Sequence, residues 1–205
     1  MGVVPQGEKK RALRNATLSQ RNSISQSEWL LWSRLIQAQA LRLPFYLASR
    51  SVALYSPVQN EVSTDSLFAH ALAEGRKVFF PKFESGLCLA LIQVDSVADL
   101  RPGRFGILEP KGVGILSETD REGLIVFVPG VAFDTRGHRL GRGKGWYDRL
   151  LKQLGANAVF VGLGYEFQIV EEVPTESWDE EVHYIVTEER VIDCAETSAQ
   201  PNRVF

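Results

Sequence analysis

The feature that most constrains this chain is a change of hydrophobic period within residues 124–154. Leu124-Ile125-Val126-Phe127-Val128 is an apolar run of the length a fully buried strand takes. Pro129-Gly130 stops it, and a polar loop follows in which Gly141, Gly143 and Gly145 alternate with Leu140, Arg142 and Lys144. Tyr147, Leu150, Leu151 and Leu154 then recur at helical spacing and share one face. Strand, glycine-rich loop and helix in this order make an anion cradle. Glycine lets the backbone come close to a ligand and take positive φ. The N–H groups and dipole of a helix start favour phosphate oxygens, and Arg142 and Lys144 add full charges.

Three alternating glycines also suit a flexible surface loop, and the spacing matches neither standard phosphate template. It is not GxGxxG, and Gly143-Lys144 is not followed by Ser or Thr as in a Walker A loop. The charge balance decides for phosphate: between Phe133 and Lys152 stand six Lys/Arg and two Asp. His138 lies in the same loop with no partner apparent in sequence, and reads as a solvated histidine.

At 205 residues the chain suits one domain with a sizeable core. A net charge of −2 gives no global attraction to nucleic acid or membrane, so the positive charge is local. Cys88 and Cys194 match no metal spacing and point to a reducing, cytoplasmic setting. No apolar run approaches the roughly 20 residues of a membrane span. Residues 9–27 contain no acidic residue, a little like an organelle transit peptide, but read as part of the folded domain.

Elsewhere the pattern alternates. Residues 8–21 read as a short helix with Leu13, Ala16 and Thr17 inward and Lys9, Lys10, Arg11 and Arg14 outward, a solvated charged face on periodicity alone. Ser25-x-x-Glu28 is a capping box opening a second helix. Trp29, Trp32, Ile36 and Leu43 follow at core spacing until Pro44 ends it. Residues 51–55 read as a strand and 56–60 as a turn. Glu61 then stands before a helix over 63–74, where a carboxylate is most often a cap or dipole partner. Further strands are expected over 77–81, 87–94 (after a turn at Glu84-Ser85-Gly86, with Cys88 a buried thiol), 158–165 and, last, 184–187. Between them, 101–110 is a structured loop, 166–171 a helical turn and 174–181 a polar turn. Strands alternating with helices predict a three-layer α/β/α domain with a largely parallel central sheet. Its ligand belongs at the carboxyl ends of the strands, where the loops after Val128 and Tyr55 share a crevice. The domain is expected over residues 8–194, with a disordered lead over 1–7 and a loose tail over 195–205.

The run Pro129-Gly130-Val131-Ala132-Phe133-Asp134, then Arg139-Leu140-Gly141-Arg142-Gly143-Lys144-Gly145-Trp146-Tyr147-Asp148-Arg149, resembles the signature of the 5-formyltetrahydrofolate cyclo-ligases, also called 5,10-methenyltetrahydrofolate synthetases. The resemblance covers nearly the whole chain and implies the same fold class. Trp146 stands where the family more often has Tyr or Phe. The resemblance implies an ATP site from Lys10 and Arg14, in Lys10-Arg11-Ala12-Leu13-Arg14, with Gly141, Arg142, Gly143, Lys144, Gly145, Trp146 and Tyr147. It implies a folate site from Glu61, on the pterin ring, with Phe105, Arg142, Trp146 and Tyr147. Phe105 reads equally well as a plug under its own loop. Lys144, Arg142 and Tyr147 are the implied catalytic residues, the two cations neutralising charge on a transferred phosphoryl group. Asp148 is the implied Mg²⁺ ligand. A second acidic metal residue is common in the family's D-x-x-x-D-type run. Here Asp179-Glu180-Glu181-Val182-His183 ends in histidine, a poor Mg²⁺ ligand.

The implied reaction belongs to one-carbon metabolism. ATP phosphorylates the formyl oxygen of 5-formyltetrahydrofolate, and the neighbouring amine closes the ring. The products are 5,10-methenyltetrahydrofolate, ADP and phosphate. The site offers no evident nucleophile, which suits phosphoryl transfer by positioning and charge stabilisation. ATP as co-substrate, Mg²⁺ and a small folate, polyglutamylated or not, are the expected ligands, with no nucleic acid and no membrane. The alternative is a nucleotide- or RNA-binding module on the same scaffold. Gly143-Lys144-Gly145-Trp146-Tyr147-Asp148 together with Glu61 argues against it, since an RNA surface needs neither.

Overall fold

The computed structural model describes residues 5–83 and 89–198. In chain order the elements are helices α1 (Gln6–Ser23), α2 (Gln26–Ala40) and α3 (Pro44–Ala48), strand β1 (Ser51–Ala53), helix α4 (Asp65–Ala73) and strands β2 (Lys77–Phe83) and β3 (Leu89–Gln93). Strands β4 (Leu100–Pro102) and β5 (Leu108–Pro110), helix α5 (Glu118–Arg121), strands β6 (Leu124–Pro129), β7 (Ala132–Asp134) and β8 (Arg139–Leu140) and helix α6 (Trp146–Leu154) follow. Strands β9 (Ala158–Leu163), β10 (Ile169–Val170), β11 (Tyr184–Val186) and β12 (Val191–Asp193) and helix α7 (Cys194–Ser198) complete the described chain.

Seven strands form one sheet in the order β12-β11-β9-β6-β1-β2-β3. The five inner strands are parallel, while β12 and β3 close the edges antiparallel. This is the expected three-layer α/β/α domain. β6 is its centre. Ile125 and Phe127 pack on one face with Ile36 and Ala40 of α2 and Leu67 and Ala71 of α4. Leu124, Val126 and Val128 pack on the other with Leu150, Leu151 and Leu154 of α6. A strand covered on both faces has no polar side to show, which is why its sequence is an unbroken apolar run.

The topology also places the crevice. From β1 the chain crosses by α4 to β2 on one side; from β6 it crosses by α6 to β9 on the other. The strand order reverses between β1 and β6, and the loops leaving their carboxyl ends diverge there. Ligands of open α/β sheets bind at such a switch point.

Some boundaries differ from the sequence reading. α2 stops at Ala40, and Pro44 opens α3 instead of ending α2; proline has no N–H to lose in a first turn. The capping box is formed, with Ser25 Oγ accepting from the Glu28 N–H at 3.2 Å and the Glu28 carboxylate accepting from the Ser25 N–H at 2.8 Å. The strand at Tyr184–Val186 is not the last, because β12 pairs with it as a short edge. α1 begins inside the expected lead, and α7 occupies the start of the expected tail. Cys88, the turn at Glu84-Ser85-Gly86 and the Phe105 side chain lie outside the described residues. No described helix is long and apolar enough to cross a membrane.

Candidate active site

A cavity of about 440 Å³ opens at the switch point, a volume suited to a small-molecule ligand. α1 lines it with Lys10 and Arg14, and the loop after β1 with Tyr55, Ser56, Val58 and Glu61. The glycine loop and the start of α6 contribute every residue from Gly141 to Asp148, and Glu176, Trp178 and Asp179 close the far side. All the site residues read from the sequence whose side chains are described thus share one cavity.

The loop has the backbone that the glycines promised. Gly143 has φ +90° and Gly145 φ +62°, a region that side chains with a Cβ rarely adopt. Gly145 is the N-cap of α6, no side chain caps that helix, and Gly145 to Asp148 all line the cavity. Arg14 Nε donates to the Gly141 carbonyl at 2.9 Å, tying α1 to the loop. Lys10 Nζ reaches Asp179 Oδ2 at 2.6 Å. The helix therefore departs from its periodicity-based reading at three positions: Lys10 and Arg14 face the cavity beside Leu13 and Thr17, and Ala16 is exposed, while Lys9 and Arg11 stay outward as read. A cationic face looks solvated in sequence, but here carbonyl and carboxylate partners draw it onto the cavity. Lys144 is exposed and its Nζ has no ion pair among the described residues.

Glu61 sits opposite. Its loop is pinned through the backbone: Tyr55 Oη donates to the Val62 carbonyl at 2.8 Å, Tyr165 Oη to Asn60 O at 3.0 Å and Trp29 Nε1 to Glu61 O at 2.9 Å. Glu61 does not cap α4, whose N-cap is Thr64. Its Oε2 accepts from the Val58 N–H at 3.1 Å, and its Oε1 from Arg142 Nη2 at 3.2 Å. Arg142 Nη1 also donates to Gln59 Oε1 at 2.7 Å. Burial pushes the hydroxyls of Tyr55 and Tyr147 well above the ordinary phenol range, and Tyr165 up to about 12, with Glu61 adding to each. These are neutral walls and donors, not bases.

A model of the 5-formyltetrahydrofolate cyclo-ligase family matches residues 6–188. The chain belongs to the 5-formyltetrahydrofolate cyclo-ligase family. It is 34% identical over 172 residues to the 5-formyltetrahydrofolate cyclo-ligase of Haemophilus influenzae, covering 80% of this chain and 86% of that one. It is 31% identical over 194 residues to the Mycolicibacterium smegmatis enzyme of the same name, covering 89% and 95%. Its fold is similar to the NMR structure of Aquifex aeolicus 5,10-methenyltetrahydrofolate synthetase, with a TM-score of 0.79 and 36% identity over 96% of this chain and 95% of that one. The chain is thus an enzyme of the cyclo-ligase family.

Around this cavity Glu61, Asp148 and Asp179 are already engaged. Asp148 Oδ1 accepts from Arg139 Nη2 at 2.7 Å, and the Arg139 guanidinium lies 5.7 Å from the Tyr147 ring centre. Among the described residues no three His, Cys, Asp or Glu side chains form a metal cluster. Mg²⁺ does not require one: it takes one or two carboxylates and completes its shell with water and substrate phosphates. Asp148, with Asp179 on the same cavity, fits that need.

His183 is structural. Its Nδ1 accepts from the Phe160 N–H at 2.9 Å, its ring stacks on Phe160 at 5.0 Å, and burial lowers its pKa. His138, read as solvated, is instead held between Asp134 Oδ2 at 2.9 Å and Glu181 Oε1 at 3.1 Å, outside the cavity. Asp134 is fully buried and also accepts from the Val173 N–H at 3.0 Å, so this group locks one loop to another. Sequence reasoning passed over Gln59, Arg139 and Arg21. Two carried a signal: Arg21 lies two helical turns beyond Arg14 on the same face, and Arg139 opens the second half of the signature run.

Proposed function

We propose that this enzyme converts 5-formyltetrahydrofolate and ATP into 5,10-methenyltetrahydrofolate, ADP and phosphate through a phosphorylated formyl intermediate. The observation that carries this reading is one cavity with Lys10, Arg14, Arg142 and Lys144 around a glycine loop on one side and Glu61 on the other. Cations with an open helix start suit a polyphosphate. A buried carboxylate suits the N–H donors of a pterin ring.

Lys10, Arg14 and the backbone of 141–147 take the ATP phosphates, and Glu61 holds the pterin. Arg142 and Lys144 sit between them, where the γ-phosphoryl group meets the formyl oxygen. That oxygen attacks phosphorus and ADP departs, leaving an imidate-like phosphate on carbon. The neighbouring amine then attacks that carbon, loses its proton and expels phosphate, closing the ring. Phosphorylation is needed because a formamide oxygen is a very poor leaving group. The two cations stabilise charge gathering on the transferred group, and Tyr147 and Trp146 wall the site as neutral rings. Bound Mg²⁺, held by Asp148, supplies further neutralisation of the phosphate oxygens. We infer a cytoplasmic site of action from the cysteine usage, which cell fractionation checks.

The test mixes the protein with Mg-ATP and 5-formyltetrahydrofolate and follows the methenyl chromophore alongside ADP release. One ADP per methenyl product is expected. Methenyl formation without ATP, or none with it, refutes the reading.

A further inference from the structure

Lys10 and Arg14 are on the cavity wall; Arg21, on the same face of α1, lies behind it. Its side chain is 1% exposed. Nη1 donates to the Gly130 carbonyl at 3.1 Å, at the end of β6. Nη2 stands 3.6 Å from Glu61 Oε1, and neither Nη2 nor Nε makes a hydrogen bond among the described residues. A charge so far from water is tolerated where a counter-charge offsets it, and among the described residues Arg21 pairs with Glu61.

Two cations from different elements therefore meet the same carboxylate oxygen, Glu61 Oε1. Arg142 comes from the exposed loop, with a side chain 38% exposed, and in the proposed function it is also needed at the phosphoryl group. Arg21 comes from a helix and is fixed at Gly130. When Arg142 turns to phosphate, Arg21 stays. We propose that Arg21 is a positioning residue for the folate: it holds the Glu61 carboxylate and balances its charge from behind, so that Glu61 presents its free lone pairs to the pterin. This rests on the reading of Glu61 as the pterin contact.

The test varies 5-formyltetrahydrofolate and Mg-ATP separately in wild type, Arg21→Met, Glu61→Gln and the double variant. Arg21→Met is expected to raise the folate KM about ten-fold, the lower end of the scale of a close charge pair, with the ATP KM little changed. In the Glu61→Gln background it should add nothing. Arg21→Lys, which keeps the charge, should recover most of the loss. A merely structural role would lower kcat through loss of active protein and add its effect in both backgrounds. An unmoved folate KM, or an equal rise with and without Glu61, overturns the proposal. If Arg21→Met does not fold, Arg21→Gln takes its place in the cycle. A wild type inactive on 5-formyltetrahydrofolate removes the functional reading and this proposal together; an active one with an unmoved KM removes the proposal alone.

Discussion

Replacing Asp148 by asparagine should lower stability and metal affinity together. Asp148 Oδ1 accepts from Arg139 Nη2 at 2.7 Å, with side chains 16% and 3% exposed. Among the described residues Arg139 Nε makes no hydrogen bond and Asp148 is its ion-pair partner, so most of the charge compensation of this buried guanidinium rests on Asp148. Asparagine keeps an acceptor at Oδ1 but loses the charge. The guanidinium stays charged, so its hydrogen bond to the amide oxygen survives and only the attraction of the second charge is lost, about 1–1.5 kcal/mol and well below the cost of breaking a buried pair outright. In a domain of this size that lowers Tm by about 2–6 °C. Asp148→Ala removes the acceptor as well and should cost about 3–5 kcal/mol, the penalty for stranding a buried charge. Thermal denaturation without metal or nucleotide reads this structural part. Titrating Mg²⁺ at fixed ATP reads the other: the midpoint for activity should rise about ten-fold, because a hard cation loses its anionic ligand, while the folate KM moves less. A Tm within about 1 °C of wild type would refute the pairing argument. An unchanged Mg²⁺ midpoint would leave Asp148 as an anchor for Arg139 only.

Lys144→Ala should keep the wild-type Tm, since an exposed loop cation without an ion pair leaves no cavity, yet lose on the order of 100-fold in turnover, or ~3 kcal/mol of transition-state stabilisation; near wild-type turnover removes Lys144 from the mechanism. Gly162→Ala would put a Cβ 2.6 Å from the fully buried Phe133 ring, and urea denaturation should show a loss of about 1–3 kcal/mol from overpacking. His183→Asp should destabilise the fold and leave the Mg²⁺ midpoint alone, because the ring it removes accepts the Phe160 N–H; activation at low Mg²⁺ would contradict this. The same histidine gives a pH dependence. Burial holds its folded pKa below the unfolded value of about 6.5, so the unfolded state binds the proton first. Its stabilising contribution is full above that value and falls as the pH drops toward the folded pKa. His183→Gln should flatten the slope of stability measured between about pH 8 and about pH 5.

The central strand and its helix were legible because both are written locally. Leu124 to Val128 needs only its own apolar run to mark it as covered on two faces, and α6 needs only the spacing of Leu150, Leu151 and Leu154. The glycines were legible too, since positive φ at Gly143 and Gly145 is a property of single residues. From these followed the layer architecture, the carboxyl-end crevice and the assembly of 141–148. Edges were harder: β12 is three residues long and identified by its pairing with β11, not by a pattern of its own.

What the tertiary structure decided was the partner of each charge. Periodicity places Lys10, Arg14 and Arg21 on one face of a helix but cannot tell solvent from a cavity wall. That answer depends on Asp179, Gly141 and Glu61, up to 169 residues away along the chain. Position alone offers Glu61 as a helix cap and the family resemblance offers it as a pterin contact, but only the fold sets Arg142, 81 residues on, against it; likewise Asp148 reads as an open ligand, and the fold pairs it with Arg139. Backbone conformation follows from nearest neighbours, so sequence determines it well. The electrostatic environment of an ionisable side chain is the sum over whatever the fold brings within a few ångströms, and only the folded chain defines that set.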